Sequence, residues 1–265
     1  MEALQEVSAM YAPSFRLDGK RAVITGAGRG IGRAIALGLA EAGADLVLIA
    51  RGAEDLEGTA GIARSMGREA MAISADLSGK GGVEAAFEQI RDNHMKIDIL
   101  INNAGMNIRT PALDVGEADM EKLLSLNFKG AFYVAQAAAR MMKESGGGRI
   151  INIASIAGQM ACRSGVIYSM TKAAVIQMTK TLALEWGKFG INVNAIGPWY
   201  VKTSLTEKLL ENKDLVAEIM SRTILKRLEQ PEDLVGAAIF LASEASSYIT
   251  GQTMFVDGGL TVYGF

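Results

Sequence analysis

The chain has 265 residues, 49% of them hydrophobic, which is enough for one large buried core, and no stretch in its middle reads as a linker. Its formal net charge of −2 comes from 27 basic and 29 acidic residues with no basic run, which argues against general affinity for nucleic acid or an anionic membrane and leaves small molecules as partners. One cysteine, Cys162, and one histidine, His94, exclude an internal disulfide and a Cys/His zinc cluster, as expected of a reducing, cytoplasmic setting.

Residues 1–16 lack the positive charge and apolar centre of a secretory signal and read as an arm ahead of a single domain spanning 17–265. No apolar run approaches the length of a membrane span. From Arg21 onward, short β-rich runs alternate with segments of helical period. The strand candidates are RAVIT, ADLVLIA, EAMAISA, IDILIN, GRIINIA and INVNAIG, with a last one near QTMFVDG. They are continuous rather than alternating in hydrophobicity, which suits strands buried on both faces. Helices are expected over Ile31–Ala42, Val83–Met95, Ala118–Lys143, Tyr168–Lys188 and Pro231–Ser243. Pro231, with Glu232 and Asp233 behind it, makes a helix start. This order predicts an α/β fold, a single-domain Rossmann-type doubly wound parallel sheet of about seven strands flanked by helices.

The first strand runs into TGAGRGIG, Thr25 to Gly32, and then into a helix. Glycines allow a tight turn and close approach of a pyrophosphate, and a helix N-terminus offers free amides. The spacing is neither the strict GxGxxG fingerprint nor an ATP-binding P-loop. The second strand ends in LIAR, with Ala50 where an acid would bind the adenosine ribose and repel a 2′-phosphate. Arg51 follows it and Arg29 lies in the glycine loop; two guanidinium forks suit a phosphate, so NADP is preferred over NAD. Asp76, in SADLS, is placed either to accept from an adenine amino group or to cap a turn.

Tyr168 and Lys172 stand four apart in YSMTK, on one face of a helix, and Ser155 ends the apolar run IINIAS. An ammonium beside a phenol favours the phenolate, so Lys172 is expected to lower the Tyr168 pKa. Such a group is a proton donor for carbonyl reduction on a nucleotide-binding frame.

With these pieces in order, the chain resembles the short-chain dehydrogenase/reductase family from about Leu17 to Gly259. The likeness rests on TGAGRGIG, the NNAG of Asn102–Gly105, Asn127, Ser155, YSMTK and the VDGG of Val256–Gly259. It implies a catalytic tetrad of Asn127, Ser155, Tyr168 and Lys172. Tyr168 would be the general acid or base, Ser155 would hydrogen-bond the reacting oxygen, Lys172 would hold the nicotinamide ribose, and Asn127 would hold a relay water. The nucleotide would lie along Gly26, Arg29, Gly30, Ile31, Gly32, Arg51, Asp76, Leu77, Asn103, Ala104, Gly105, Tyr168, Lys172, Pro198 and Thr203. The resemblance also implies a homotetramer built through the long helices and the C-terminal segment.

After the sixth strand comes GPWYVKT, with Trp199 where the family more often has glycine. Together with NIRTPAL at Asn107–Leu113, this resembles the gluconate 5-dehydrogenase branch, which interconverts sugar acids and keto-sugar acids. Arg109 would then clamp a carboxylate, with Ser155, Tyr168 and Trp199 completing the substrate site. Met106, Met160 and Trp199 equally suit an apolar ketone or a 3-oxoacyl substrate. The segment Ser204–Arg227 reads as one or two short helices, placed to act as a substrate lid. An alternative of another class is a catalytically silent NADP-sensing protein.

Overall fold

The computed structural model describes residues 12–262. Its centre is a parallel sheet of seven strands: β1 (Arg21–Thr25), β2 (Asp45–Ala50), β3 (Ala70–Ser74), β4 (Ile99–Asn102), β5 (Gly148–Ile153), β6 (Ile191–Pro198) and β7 (Thr253–Val256). Every expected strand forms. The spatial order is β3-β2-β1-β4-β5-β6-β7. The chain therefore builds outward from β1 to β3, then returns to lay β4 on the other side of β1. At such a reversal the loops leaving the two central strands diverge and open a crevice at the carboxyl edge of the sheet.

Helices cover both faces: α1 (Gly30–Glu41), α2 (Ala53–Ser65), α3 (Lys80–Asp92), α4 (Glu117–Leu124), α5 (Ala131–Glu144), α6 (Val166–Trp186), α7 (Glu207–Leu210), α8 (Lys213–Arg222) and α9 (Val235–Ala242). The strand residues divide by parity. Val23, Val47, Ile49, Leu100, Ile150 and Val193 pack on one face with Phe87 and Ile90 of α3, Val134 and Met142 of α5 and Val175 of α6. Ala22, Ile24, Leu46, Leu48, Ile99 and Ile101 pack on the other with Ile35 and Leu39 of α1, Leu56 of α2 and Leu241 of α9. Each of the valine, leucine and isoleucine side chains contributes about 1.5–3 kcal/mol by leaving water, and the two-sided burial explains why the strands carry no polar alternation.

Two helical segments differ from the sequence expectation. α2 has no counterpart there, because its buried stripe is only Leu56, Thr59, Ala60 and Ala63 and it carries two glycines, Gly58 and Gly61. The single helix expected over Ala118–Lys143 is divided into α4 and α5 by one wide turn of the π type, Ser125–Gly130. Gly130 explains where the turn sits: a Cβ there would overlap the backbone carbonyl of Leu77, so the helix meets the β3–α3 connection backbone to backbone. The predicted start at Pro231 is a short 3₁₀ turn, Pro231–Leu234, closed by a capping box between Gln230 and Asp233, with α9 following directly. Ser204–Arg227 contains two short helices, α7 and α8, as expected.

Glycine to alanine inside a helix normally stabilises by roughly 0.5–1 kcal/mol. At Gly130 the sign reverses: Gly130→Ala is expected to cost about 1–3 kcal/mol through overpacking, seen as a melting temperature several degrees lower by calorimetry. An unchanged or higher value would show that the contact with Leu77 is not tight.

Candidate active site

The crevice at the switch point is a cleft of about 640 Å3. The glycine loop, Ala50 and Arg51 after β2, Asp76 and Leu77 after β3, Asn103–Met106 after β4, Ser155 after β5, Tyr168 and Lys172 on α6, and the stretch Pro198–Thr206 after β6 all line it. Of the expected cofactor residues, only Gly32 is not on the wall. It lies beneath: a Cβ there would overlap the Gly26 carbonyl oxygen and approach the Asn103 amide, so it lets α1 seat against its own loop. The first turn of α1 has no acidic residue and its N-cap, Arg29, makes no side-chain cap. Its amide donors are therefore left for an anion, with Arg29 beside them and Arg51 across the cleft. These features fit a dinucleotide pyrophosphate.

The glycine loop is tied to the β4 loop by Thr25. Its buried Oγ1 accepts the N–H groups of Asn103 and Ala104, both at 2.9 Å, and donates to the Ile101 carbonyl at 3.5 Å. The Asn103 side chain returns the connection, donating to the carbonyls of Thr25 at 2.9 Å and Gly26 at 3.3 Å. Asp76 forms a turn, accepting the Ser78 N–H at 2.9 Å, and that bond, with the nearby Arg51 charge, holds its carboxyl below the usual range. The capping reading thus describes its geometry, and its place on the cleft wall leaves contact with adenine open.

The predicted catalytic residues converge from three elements. The Lys172 ammonium is buried, 6% exposed, and donates to the Ile153 carbonyl at 2.7 Å; it lies 5.7 Å from the centre of the Tyr168 ring. The Ser155 hydroxyl accepts the Ala157 N–H at 3.1 Å and hydrogen-bonds the Tyr168 phenol. Asn127 is buried in the wide turn and does not reach the cleft wall. It clamps Met106, accepting its N–H at 2.9 Å and donating to its carbonyl at 2.8 Å, and donates to Thr171 Oγ1 at 3.3 Å. Asn127 and Lys172 meet at Gly105, where a Cβ would stand 3.3 Å from Asn127 Oδ1 and 3.9 Å from Lys172 Nζ.

The electrostatics differ from the sequence expectation. Burial is the dominant influence and pushes the Tyr168 phenol up; the Ser155 hydrogen bond and then the Arg109 charge oppose it. Lys172 does not supply that opposition, because burial weakens its own charged form and pushes it down to about 8. Arg109 itself is exposed and absent from the cleft wall, its backbone lying over Gly165 just before α6. Its charge still reaches Tyr168 and Tyr200. Trp199 does line the cleft, with its ring edge-on to Tyr200 at 4.4 Å, and Thr203 stands over Gly30. Met160 is 41% exposed and, like Arg109, lies off the cleft wall.

The sequence reading missed Asp55 of α2, Leu126, Val201 and Leu205, which also line the cleft, and Thr25 and Glu229, which act beneath it. Thr25 carried one signal: a hydroxyl at the last position of a strand entering a glycine turn. Glu229 carried none.

A parallel sheet with a glycine loop at its switch point, facing a serine, a tyrosine and a buried lysine, defines a nucleotide-dependent oxidoreductase. Residues 26–261 match the family model described as enoyl-(acyl carrier protein) reductase. The chain belongs to the short-chain dehydrogenase/reductase family. It is 41% identical over 249 residues to gluconate 5-dehydrogenase of Gluconobacter oxydans, covering 94% of this chain and 97% of that one. A tropinone reductase homolog of Arabidopsis thaliana is also 41% identical, over 94% of this chain and 95% of its own. Among solved structures, a gluconate 5-dehydrogenase from Burkholderia cenocepacia in complex with NADP and tartrate superposes with a TM-score of 0.90 at 42% identity, covering 94% of this chain and 97% of that chain. The protein is an oxidoreductase acting on a CH–OH group or its carbonyl form, with a small-molecule substrate.

The lowered lysine makes stability depend on pH in a definite direction. Below about pH 8 both folded and unfolded chains hold the Lys172 proton, and the full cost of burying the charge is present. Between about 8 and the usual 10.5 the folded chain releases it first, so stability rises across that window. Lys172→Met should therefore melt above the wild type at neutral pH, with the gap closing toward pH 10.5. A gap of constant size in paired melting curves would contradict the buried ammonium.

Proposed function

We propose that the protein is an NADP-preferring dehydrogenase/reductase that interconverts a sugar acid and its keto form, such as gluconate and 5-ketogluconate. The observation that carries the reaction is the convergence of Ser155, Tyr168 and buried Lys172 on one cleft wall. The glycine loop, Arg29 and Arg51 would hold the dinucleotide, whose nicotinamide would supply the hydride in reduction and accept it in oxidation. In reduction the Tyr168 phenol gives its proton to the substrate oxygen, and in oxidation it takes one. Ser155 donates to the same oxygen and fixes its position. Lys172 would return the proton to Tyr168 and hold the nicotinamide ribose, while Asn127 holds the Met106 backbone and would hold a relay water beside Lys172.

A phenol raised by burial keeps its proton through neutral pH, so reduction has its acid ready there and oxidation gains as pH rises. The sugar-acid reading draws support from the Arg109 charge near Tyr168, which suits a carboxylate, and from the relatives named above. Met106, Leu126, Val201 and Leu205 on the wall favour a second reading, an apolar ketone or 3-oxoacyl substrate. NADP preference rests on Arg29 and Arg51 with no acid at Ala50. We further infer one catalytic domain over 17–265, a cytoplasmic setting and a homotetramer. An apolar groove between α5 and α6, lined by Phe132, Met178, Trp186 and Phe189, supports the last of these, and no helix among the described residues is long and apolar enough to cross a membrane.

Spectrophotometric assay of sugar acids, their keto forms and apolar ketones with both cofactors tests the substrate; turnover confined to apolar ketones selects the second reading. Tyr168→Phe should lower kcat by at least about 100-fold, in the range expected for loss of general acid–base catalysis, and undiminished turnover would remove Tyr168 from the mechanism. Arg51→Asp should move the ratio of kcat/KM values toward NAD by about tenfold or more; an unchanged ratio would show that Arg51 does not bind the 2′-phosphate.

A further inference from the structure

Glu229 is a buried acid, 9% exposed, with no part in the chemistry above. It stands between α8 and the turn at Pro231, and it meets the chain leaving β6 at several points. Its Oε2 accepts the Trp199 N–H at 2.8 Å, its backbone carbonyl accepts the Lys202 N–H at 2.9 Å, and Val201 pairs with it in an isolated parallel bridge. Thr206 secures the far end of the same stretch, donating to the Val201 carbonyl at 2.5 Å and accepting the Thr203 N–H at 3.0 Å. The stretch between these ties carries Pro198, Trp199 and Thr203, all on the cleft wall. Glu229 Oε1 and Trp199 Nε1 are both buried without a hydrogen-bond partner among the described residues. The bond from the Trp199 N–H to Oε2 is thus the hydrogen bond between a side chain and Trp199 that holds this corner.

We propose that Glu229 is a positioning residue: through the Trp199 N–H it fixes the stance of the indole, and with it the substrate wall of the cleft. This rests on reading that cleft as the substrate site. A backbone carbonyl could accept the Trp199 N–H without burying an ionisable group, so the choice of a carboxyl leaves a wall sensitive to one proton. Burial pushes Glu229 up to about 8; the Trp199 N–H opposes this, Asp233 and Asp257 add to it, and Arg227 opposes it. The acid therefore stays protonated in the fold above the usual 4.5, and its contribution is lost as pH rises through about 8. Above that pH the Trp199 N–H keeps its acceptor, but the second oxygen carries charge in a buried place beside Asp233 and Asp257, only partly offset by Arg227, and the entry of water to that oxygen shifts the wall.

The test uses the full chain with Glu229→Gln and Glu229→Leu, gluconate and 5-ketogluconate as substrates, and Trp186→Phe as the background in which emission reports Trp199 alone. Glutamine keeps the acceptor and does not titrate. Glu229→Gln should hold KM within about twofold of wild type at neutral pH, whereas Glu229→Leu should raise it about tenfold with a smaller loss of kcat. Trp199 emission should shift to the red in the leucine variant only. Between pH 7 and 9 the wild-type KM should rise relative to that of Glu229→Gln. Unchanged KM and emission in Glu229→Leu would overturn the proposal. If that variant does not fold, parallel pH profiles for wild type and Glu229→Gln would overturn it instead. Should neither substrate be turned over, the sugar-acid reading fails, and the emission comparison still decides the role of Glu229.

Discussion

The Thr25 hydroxyl, fully buried where β1 ends, accepts two successive backbone N–H groups from the loop after β4. Strands β1 and β4 are neighbours in the sheet although three crossovers lie between them in the chain. Their loops must part to admit a ligand and yet keep a fixed spacing. One side-chain oxygen does both: it satisfies the amides that parting would leave bare in a buried place, and it sets how far apart the loops stand. The glycine loop, the Asn103–Met106 turn and, through Met106, the Asn127 clamp take their positions from this joint. A second polar chain runs below it. Asn102 donates to the Ala131 carbonyl and to Asn152, which donates in turn to Thr179 on α6. The tyrosine and lysine of α6 are thus referenced to the same strand edge as the glycine loop.

Dryness around the site explains the titration behaviour of its groups. Tyr168, Lys172 and Glu229 all move toward the value that favours their uncharged form, and in each case burial is the largest cause. Among the described residues, neither Lys172 nor Glu229 sits in a salt bridge. Several of the scaffold's salt bridges lie at the surface, such as Arg16 with Asp18 and Lys80 with Glu84. The catalytic corner around Tyr168 and Lys172 therefore differs from the nucleotide end of the same cleft, where Arg29, Arg51, Asp55 and Asp76 keep their charges in contact with water.

Most of the fold was legible because both sheet faces are apolar: RAVIT, DLVLIA and IDILIN can be little other than central strands of a parallel sheet. α2 escaped because its packing needs only a narrow stripe of small residues and one leucine. The site was legible where spacing carries geometry, as in Tyr168 and Lys172 one turn apart and in the glycines after β1. It was not legible where burial decides. Whether Lys172 perturbs Tyr168 or is itself perturbed depends on how much water each keeps, and no spacing encodes that. Glu229 was invisible for a related reason: it reaches Trp199 across 30 residues of chain, through a bridge outside the regular sheet.

The wide turn at Ser125–Gly130 has a consequence for how this segment can vary in length. A π turn is an α-helix carrying one surplus residue, and each residue of an α-helix advances its face by about 100°. Dropping that residue would straighten the helix and swing everything after it by the same angle. Val134, Ala135, Ala138 and Met142, now against the sheet, would swing off it, unless the shift were taken up on the other side of the turn, in which case Asn127 would leave Met106. The surplus residue thus acts as a phase corrector between two binding duties, one toward the loop after β4 and one toward the core. Natural variation here should spare the count of residues even where it changes their identity.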